Sequence, residues 1–457
     1  MDVKGIMIAA PSSGTGKTTV SIGIMRALSD MGFKVQPFKV GPDYIDPGFH
    51  RLASGKKSYN IDTVMGTPRT AREIYFHNSS GKDISVVEGV MGLFDGKAGN
   101  TIKGSSFDIS LILGIPVVMV IDISASGRSI AALVRGFRDF DKRLKLKGVI
   151  LNRAGSDYHC RLVREAIEKS TGIRVLGCLK KYEDLQIGSR YLGLVTAGEE
   201  KINDSYFKRL STIIKSSIDI SEIIRIAGMV NYKRNPKPSL YNYRAKEKCR
   251  IGVAYNKAFT FYYTENLELL EKFGAKIVLF DPIIDTSLPD VDGLYLGGGY
   301  PELYAEELSG NVKLLAEIRE SIKNNMPVFA ECGGYMYLSK SISINGKEYP
   351  MAGTIPGKTH MEGLSLGYRK IMPVTYNTIL KDRERIMGHE FHYSRIVFNT
   401  THSEAYRFEN GNTEGFTYKQ LIAGYAHLYF PSNQNFPRRF VQRCAEYKIE
   451  KREIIYQ

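Results

Sequence analysis

The stretch IMIAAPSSGTGKTT, residues 6–19, decides the fold of the first half of the chain. A short apolar run leads into a glycine-rich turn, and the following SIGIMRALSDMG places its apolar residues at helical spacing. In a strand–turn–helix of this kind, backbone N–H groups surround phosphate oxygens, a lysine reaches the β- and γ-phosphates, and a hydroxyl binds Mg²⁺. The pattern therefore predicts a phosphate-binding loop (P-loop) on an α/β sheet.

The loop differs from the general P-loop pattern G-x-x-x-x-G-K-[ST] in two ways. Pro11 stands where the first glycine belongs, and Ser12 stands where partition-type ATPases carry a second lysine. The loop is therefore more similar to that of the dethiobiotin-synthetase branch than to that of motor or partition ATPases. We predict that ATP binds through Gly14, Thr15, Gly16, Lys17, Thr18 and Thr19.

Two acidic segments follow, GPDYIDP at residues 41–47 and VVEGVMGLFDG at residues 86–96. Glu88 ends an apolar strand on the sheet edge that carries the P-loop, which is where a magnesium ligand belongs. We predict Thr18, Glu88 and Asp43 as the Mg²⁺ ligands.

Three further polar residues leave two interpretations open. Asp46 and Asp95 lie in turns punctuated by glycine and proline, so their carboxylates face either a ligand or their own backbone N–H groups. Asn152 ends a later strand in LNRAGSDYH, where its side chain either pairs with an adenine edge or caps the next helix. We assign Asn152 to the ATP site.

Short apolar runs alternate with helical patterns along the whole chain, which is typical of parallel sheets with crossover helices. The predicted strands are 6–10, 84–88, 117–122, 149–152, 174–178, 250–255, 276–280, 293–296 and 327–331, with helices at 264–273 and 311–324. Residues 226–248 contain prolines and basic residues with little periodicity, which indicates a linker. We predict two doubly wound α/β domains, residues 1–225 and 249–457, joined by that linker.

The stretch PVFAECGGYMYL, residues 327–338, predicts a strand that runs directly into Cys332 and then into a helix. We expect the field of the helix N-terminus to lower the pKa of this thiol and nearby N–H groups to bind an oxyanion. Upstream, LGGGYPE supplies a second glycine turn, and downstream AGYAHLYFPSN supplies His427 as a general base. These segments predict acyl transfer through a thioester.

The other cysteines, Cys160, Cys178, Cys249 and Cys444, form no C-x-x-C pair. We predict that they are buried structural thiols, with neither a zinc site nor a disulfide framework. The first residues show no secretory signal pattern, so we expect a reducing, cytoplasmic setting.

The chain of 457 residues carries 63 Lys and Arg against 48 Asp and Glu, a net charge of +15. The basic residues are scattered and accompany no base-reading module. An ordinary solvated surface is therefore favoured first, an acidic small-molecule substrate second and nucleic acid last. The longest apolar run, residues 111–123, contains Gly114 and Asp122 and is shorter than the roughly 20 residues of a membrane span. We expect no nucleic-acid or membrane partner.

Eight motifs together resemble one family, the cobyrinate a,c-diamide synthases, which are two-domain corrinoid amidases. The motifs are GTGKTT, VGPDYIDP, EGVMGLFDG, LNRAGS, GGGYPEL, AECGGYMYL, GHEFHYS and AHLYF. The resemblance covers nearly the whole chain. It implies an ATP-dependent P-loop synthetase domain followed by a triad-type, class I glutamine amidotransferase domain.

The resemblance also implies roles for individual residues. Cys332 matches the family nucleophile and His427 the histidine that activates it. The residues that match the oxyanion region are Gly298, Gly299 and Gly333. The residues that match the approach of the substrate and the transferred phosphate are Asp43, Tyr44, Ile45 and Asp95.

The amidotransferase motifs differ from the general pattern at two points. The common G-x-C-x-G begins here with Ala330, and the usual His-x-Glu reads His427-Leu428-Tyr429, so no third acid follows the histidine. Glu390 in GHEFHYS is one candidate for orienting His427. The same segment holds an H-x-x-H pair, which is a weak metal signal and better fits the lining of an interface or pocket.

The resemblance implies amidation of the a and c carboxylates of cobyrinate, or of a close tetrapyrrole, in cobalamin biosynthesis. ATP, Mg²⁺ and glutamine would serve the reaction, an acyl phosphate would be its intermediate, and the enzyme would be a monomer or homodimer. A related amidase that acts on nickel-sirohydrochlorin fits the same motifs. A partition-type nucleotide switch with an inactive amidotransferase domain is disfavoured by Ser12 and by the Cys332 and His427 pair.

Overall fold

The computed structural model describes residues 2–182, 185, 189–190, 193–194, 203–231, 240–242, 244–374, 379, 381 and 383–455. The chain divides into two compact units between Leu240 and Tyr241. Each unit has its own sheets and its own hydrophobic core. The prediction of an α/β fold with a parallel sheet and a second α/β domain is confirmed.

The first unit is built on a parallel sheet with the strand order β3–β2–β4–β1–β5–β6–β7, and β10 pairs antiparallel with β1. Its described strands are β1 (Asp2–Ala9), β2 (Val35–Val40), β3 (Tyr59–Ile61), β4 (Ile84–Glu88), β5 (Val117–Asp122), β6 (Leu146–Ala154), β7 (Val175–Lys180), a short ribbon of β8 (Ser189–Arg190) and β9 (Gly193–Leu194), and β10 (Gly228–Asn231). Its helices are α1 (Lys17–Asp30), α2 (Ile45–Ser54), α3 (Pro68–Ser79), α4 (Ser106–Leu113), α5 (Ile130–Phe140), α6 (Asp157–Thr171), α7 (Asp204–Ser217) and α8 (Ile220–Ile226).

The central strands of this sheet are buried on both faces, which explains their unbroken apolar runs. All of β4 is buried, including the carboxylate residue that ends it. Helix α1 packs closely on α7 at Gly23, where an added Cβ would lie 2.6 Å from Ile214. Glu88 therefore lies at a buried strand end, paired with Ile8 of β1.

The strands predicted at residues 84–88 and 117–122 are confirmed with the same bounds. The predicted linker, 226–248, needs a correction, because it contains β10, which pairs with residues 2–5 of β1. This strand has only four residues, which is too short for periodicity to predict it. The rest of the predicted linker includes residues 232–239 and 243, which lie outside the described residues.

Cys160 and Cys178 form a disulfide, which contradicts the prediction that both are free structural thiols. Cys160 lies in α6 and Cys178 in β7. The crossover helix runs back along the sheet before the next strand, and this brings the two Cα atoms to 6.2 Å although they are 18 residues apart. Spacing in the sequence could not show this proximity. The structure leaves Cys249, Cys332 and Cys444 as free, buried thiols.

The second unit contains a parallel sheet with the order β13–β11–β14–β16–β24, extended by the antiparallel strand β23, and a separate, largely antiparallel sheet. The strands of the first sheet are β11 (Cys249–Ala254), β13 (Ala275–Phe280), β14 (Gly293–Leu296), β16 (Val328–Glu331), β23 (Phe416–Tyr418) and β24 (Leu421–Gly424). A two-strand ribbon pairs β12 (Phe259–Phe261) with β15 (Gly298–Gly299). The strands of the second sheet are β17 (Ser341–Ile344), β18 (Lys347–Pro350), β19 (Lys358–Pro373), β20 (Ile386–Val397), β21 (Tyr406–Phe408), β22 (Thr413–Glu414) and β25 (His427–Leu428).

The helices of the second unit are α9 (Thr264–Phe273), α10 (Ala305–Gly310), α11 (Val312–Lys323), α12 (Gly333–Leu338) and α13 (Asn435–Ile455), with 3-10 turns at Pro301–Tyr304 and Phe430–Ser432. The predicted helix at 264–273 and the predicted strand at 293–296 are confirmed with the same bounds. The long β19–β20 pair was not predicted, and most of β19 is exposed or half-buried. No helix among the described residues is both long enough and apolar enough to cross a membrane.

Candidate active sites

The P-loop lies between β1 and α1 in the first unit. Gly14 and Gly16 both adopt positive φ, +78° and +84°, which favours glycine at these positions. Asn152, at the end of β6, donates its side-chain amide to the Thr15 carbonyl over 2.8 Å. The alternative that Asn152 caps the next helix is wrong, because the side chain of Ser156 caps α6. Asn152 therefore supports the loop from β6, which lies beyond β5 in the sheet.

Lys17 connects the P-loop to the second predicted motif. Its Nζ donates to the carbonyl of Met91 over 2.9 Å, and Met91 has a positive φ of 43°. Burial, followed by the positive charge of Lys39, lowers the pKa of Lys17 to about 8. Thr18, the next residue, donates its hydroxyl to Glu88 over 2.7 Å. The loop and the end of β4 thus meet as predicted for a phosphate site.

A buried charge cluster lies beside Thr18, and sequence reasoning missed two of its members, Lys39 and His50. Lys39 Nζ bonds to Asp46 and lies 3.1 Å from Glu88 Oε1. His50 Nε2 lies 2.8 Å from the other oxygen of Glu88. Burial opposes the charged form of Glu88, but Lys39 and His50 hold the pKa of that carboxyl well below its usual range.

The same charges act on the other members of the cluster. Burial opposes the charged form of Lys39, but the carboxylates of Asp46 and Glu88 raise its pKa. Burial and the negative charges of Asp43 and Glu88 raise the pKa of Asp46 well above its usual value. Glu88 and Lys39 therefore form the charged pair at the centre of the cluster.

Of the predicted substrate-side residues, Asp43 lies beside this cluster. Asp43 accepts hydrogen bonds from the N–H groups of Ile45 and Asp46 at 2.9 and 3.0 Å, and so caps α2, while its other oxygen lies 3.7 Å from Lys39 Nζ. Tyr44 and Ile45 begin that helix, and Ile45 packs against the core. Asp95 accepts from the N–H of Gly92, so its carboxylate satisfies its own turn.

The oxygen donors next to the P-loop fit Mg²⁺. Mg²⁺ prefers hard oxygen ligands and keeps several waters, so it needs only one or two protein ligands besides phosphate. Thr18 Oγ1 and Glu88 Oε1, 2.7 Å apart, are such a pair. Asp43, the third predicted ligand, uses one oxygen as a helix cap. Among the residues with described positions, no group of three or more His, Cys, Asp or Glu is arranged to hold a metal by itself.

The candidate nucleophile of the second unit lies on a strained turn. Cys332 follows β16 directly, has φ 46° and ψ −104°, and precedes α12. A non-glycine residue in such a conformation costs about 1–3 kcal/mol and persists only where surrounding contacts hold it. The N–H of Cys332 donates to the carbonyl of Gly424 in the neighbouring strand over 2.8 Å. Packing thus holds the thiol at the strand end.

The three predicted oxyanion glycines lie together around this turn. The N–H of Gly333 donates to the sulfur of Cys332. A Cβ added to Gly333 would lie 3.0 Å from the backbone nitrogen of Gly299. A Cβ added to Gly298 would lie within 3.0 Å of Cε1 of His427 and 3.3 Å from its Nε2. The glycine turn therefore borders both Cys332 and the ring of His427, with no room for a side chain at Gly298 or Gly333.

Cys332 and His427 are both neutral at rest. Burial and the negative charge of Glu302 raise the pKa of Cys332, and the Gly333 N–H opposes this only in part. Burial, together with the charges of His389 and His392, lowers the pKa of His427 well below its usual value. The expectation of a lowered thiol pKa is therefore wrong, because burial outweighs the field of the six-residue helix α12.

The acid next to His427 is Glu331, which sequence reasoning did not single out. Its Oε2 lies 3.9 Å from His427 Nδ1, and its Oε1 accepts from the N–H of Leu428 over 2.6 Å. Glu390, the candidate from the sequence, accepts from Arg369 Nε over 2.6 Å instead. The overlooked signal was a carboxylate at the end of the buried strand VFAE.

Comparison with known proteins matches both units. A family described as CobQ/CobB/MinD/ParA nucleotide binding domain matches residues 6–192, and one described as CobB/CobQ-like glutamine amidotransferase domain matches residues 250–435. Cobyrinate a,c-diamide synthase from Picrophilus torridus is 50% identical over 97% of this chain and 99% of its own length. The proteins of that name from Thermoplasma volcanium and Archaeoglobus fulgidus are 42% and 39% identical, over 99% and 98% of this chain and 100% and 99% of their own lengths.

Proposed function

Because the chain belongs to the cobyrinate a,c-diamide synthase family, we propose that it amidates the a and c carboxylates of cobyrinate, with ATP activating each carboxylate and glutamine supplying nitrogen. As a member of this family the chain is a glutamine-dependent, amide-forming ligase. The observation that carries the proposal is the presence of both kinds of site in one chain. Lys17 lies beside a buried charge cluster, and Cys332 and His427 border the same glycine turn.

The first unit would activate the carboxylate. An oxygen of the substrate carboxylate attacks the γ-phosphorus of ATP, ADP leaves, and an acyl phosphate forms. Ammonia attacks the carbonyl carbon of this intermediate, loses a proton, and phosphate leaves as the amide forms. Lys17 supplies positive charge for the transferred phosphoryl group. Mg²⁺, held by Thr18 and Glu88, would neutralise charge on the β- and γ-phosphates when bound.

The second unit would release ammonia. His427 takes the proton of Cys332 as the sulfur attacks the side-chain amide carbon of glutamine. The N–H groups of Gly333 and Gly299 face the oxyanion that develops there. The tetrahedral intermediate collapses to a glutamyl thioester, and His427 returns the proton to the departing ammonia. Water, deprotonated by the same histidine, then hydrolyses the thioester to glutamate.

The division of labour is tested with Cys332→Ala. This variant should lose amidation with glutamine but retain amidation with an ammonium salt, because only the second unit needs the thiol. Product mass after incubation with Mg-ATP and either cobyrinate or nickel-sirohydrochlorin identifies the substrate, since each amidation replaces one hydroxyl by NH₂. Loss of activity with both nitrogen sources in a folded variant contradicts the scheme.

The ATP assignment is tested separately with Lys17→Ala. This variant should make no diamide from either nitrogen source while it still hydrolyses glutamine, because Lys17 lies in the first unit. Undiminished diamide formation by the variant would remove Lys17 from the mechanism.

A further inference from the structure

Glu331 has a buried carboxyl that bonds to the same strand that carries His427. Its Oε1 accepts from the N–H of Leu428 over 2.6 Å, and its Oε2 accepts from the hydroxyl of Tyr295 over 2.8 Å. The second oxygen also lies 3.9 Å from Nδ1 of His427. Both side chains are almost fully buried. Strands β16 and β25 thus bring a carboxyl and an imidazole together in a site that excludes water.

We propose that Glu331 is the positioning residue for His427, replacing the acid that is missing after the histidine in the sequence. Its carboxylate favours the Nδ1–H tautomer of His427, which leaves Nε2 to receive the proton of Cys332, and it stabilises the imidazolium that results. The inference rests on the roles of Cys332 and His427 proposed above.

The orientation of the ring supports this assignment. Nδ1 faces Glu331, while Nε2 lies 3.3 Å from the position of a Cβ on Gly298, in the glycine turn next to Cys332. The two nitrogens therefore face different partners. General base catalysis by histidine uses a carboxylate on the Nδ1 side and leaves Nε2 to take the proton.

The distance of 3.9 Å is longer than a hydrogen bond, and a shift of about 1 Å would make one. Such distances often shorten when substrate binds or charge develops. The hydrogen bond from Leu428, the neighbour of His427, fixes the carboxylate to the strand of its partner. A small rotation of either side chain is therefore enough to form the hydrogen bond between Glu331 and Nδ1 when His427 gains a proton.

Two other carboxyls near His427 in the sequence or the fold are engaged by other partners. Glu390 bonds to Arg369. Glu414 accepts from the N–H groups of Tyr425 and Ala426 at 2.9 and 3.1 Å, so it supports the backbone just before His427. Glu414 is half-buried, and like Glu331 it accepts hydrogen bonds from backbone N–H groups beside His427. It therefore offers a matched control for a purely structural role.

The protonation of Glu331 gives the inference a pH signature. Burial raises the pKa of Glu331 to about 8, opposed by the hydrogen bonds from Leu428 and Tyr295. The carboxylate form that positions His427 is therefore present above this pH and is lost as the pH falls through it. The titratable groups that face Glu331 from the packed elements are Tyr262, Tyr295, Tyr406, Cys332 and His427.

None of these neighbours accounts for a transition near pH 8. Burial raises the pKa of each of the three tyrosines and of Cys332 above its ordinary value, while that of His427 is lowered. A rise in glutaminase kcat/KM through about pH 8 is expected of Glu331. Burial also raises the pKa of Glu414, which acts on Cys332, to about 8. The rise is therefore assigned to Glu331 by its loss in Glu331→Gln together with its retention in Glu414→Gln.

The test compares Glu331→Gln, Glu331→Asp and the control Glu414→Gln in the full chain. Ammonia released from glutamine is measured from pH 6 to 10, with thermal unfolding of each variant alongside. We expect Glu331→Gln to lose roughly 100-fold in kcat, with KM little changed and the rise near pH 8 abolished. Glu331→Asp should keep a pH-dependent rise and recover part of the rate. Glu414→Gln should lose stability but keep the midpoint of the rise.

Two results separate the possible failures. If Glu331→Gln keeps the pH profile and loses no more kcat than Glu414→Gln, Glu331 is a structural residue and the inference is overturned. If Cys332→Ala still hydrolyses glutamine, the proposed glutaminase site itself is wrong, whatever Glu331→Gln does. Should Glu331→Gln fail to fold, Glu331→Asp decides, because a wild-type profile and rate in that variant would also overturn the inference.

Discussion

A single methyl group at Gly298 should separate the two activities. The φ of Gly298 is not positive, so alanine is compatible with its backbone, and the substitution acts through space alone. The new Cβ would lie within 3.0 Å of Cε1 of His427, 3.3 Å from Nε2, and 3.2 Å from Cβ of Phe261. Both neighbouring residues, His427 and Phe261, are buried, so the overlap cannot be relieved towards solvent.

The size of the effect follows from the displacement. Carbon atoms pack at about 3.5–4.0 Å, so the ring of His427 or the glycine turn must move by roughly 0.5 Å or more. A misplacement of about 1 Å in a catalytic group costs on the order of 100-fold in rate. We therefore expect Gly298→Ala to lower glutaminase kcat by roughly 10- to 100-fold, or about 1.4–2.7 kcal/mol in activation free energy. Overpacking should also reduce the free energy of unfolding by about 1–3 kcal/mol.

The assay measures glutamate release and diamide formation with glutamine or with an ammonium salt. Diamide formation from ammonium should be unchanged, because the first unit carries that step. Gly363→Ala is the control, since an added Cβ there meets no atom within 4 Å. Glutaminase activity of Gly298→Ala equal to that of the control would refute the proximity of Gly298 to a working His427.

Three further predictions concern the charge cluster, the thiol and the disulfide. Lys39→Met should abolish diamide formation from either nitrogen source and lower stability in urea by about 3–5 kcal/mol, because it leaves the buried carboxylate of Glu88 without its lysine partner. Wild-type stability of this variant would contradict the buried pairing. Iodoacetamide should alkylate Cys332 slowly at pH 7 and faster as the pH rises beyond 9, because the raised pKa of this thiol keeps the thiolate scarce. The mass of the peptide that contains Cys332 measures the rate. A fast rate that does not change between pH 6 and 8 would indicate a resting thiolate. Cys160→Ser should lower the free energy of unfolding by about 3 kcal/mol, the value for a disulfide loop of this length. Reductant should lower the stability of the wild type by a similar amount and leave that of the variant unchanged. Equal stability of wild type and variant without reductant would argue against the bond.

The P-loop could be predicted from the sequence because its determinants are contiguous. Glycines, lysine and hydroxyl act within one turn, and the flanking strand and helix follow from local periodicity. Lys39 could not be found in this way. It reaches Glu88 because β2 and β4 pair in a register that places the two residues side by side, and that register is a property of the whole sheet. His50 could not be found from local sequence either, because it reaches Glu88 from the helix α2.

The amidotransferase site shows the same limit. Cys332 could be predicted from its strand–turn–helix context, but Glu331 meets His427 only through the pairing of strands far apart in sequence. A local signal did exist in both units. Lys39 and Glu331 are charged residues inside short, fully buried strands, VQPFKV and VFAE. Because an unpaired charge in such a strand is costly, a charged residue there predicts a partner at the sheet edge.

The neutral resting state of Cys332 and His427 is consistent with catalysis in a dry site. Proton transfer from thiol to imidazole creates two charges where burial disfavours both. The groups able to stabilise those charges are already in place, with the N–H groups of Gly333 and Gly299 on the sulfur side and Glu331 on the Nδ1 side. Interactions that strengthen only as charge develops lower the barrier without stabilising the resting enzyme. Burial thus keeps the thiol unreactive until an amide carbon is present to receive the sulfur.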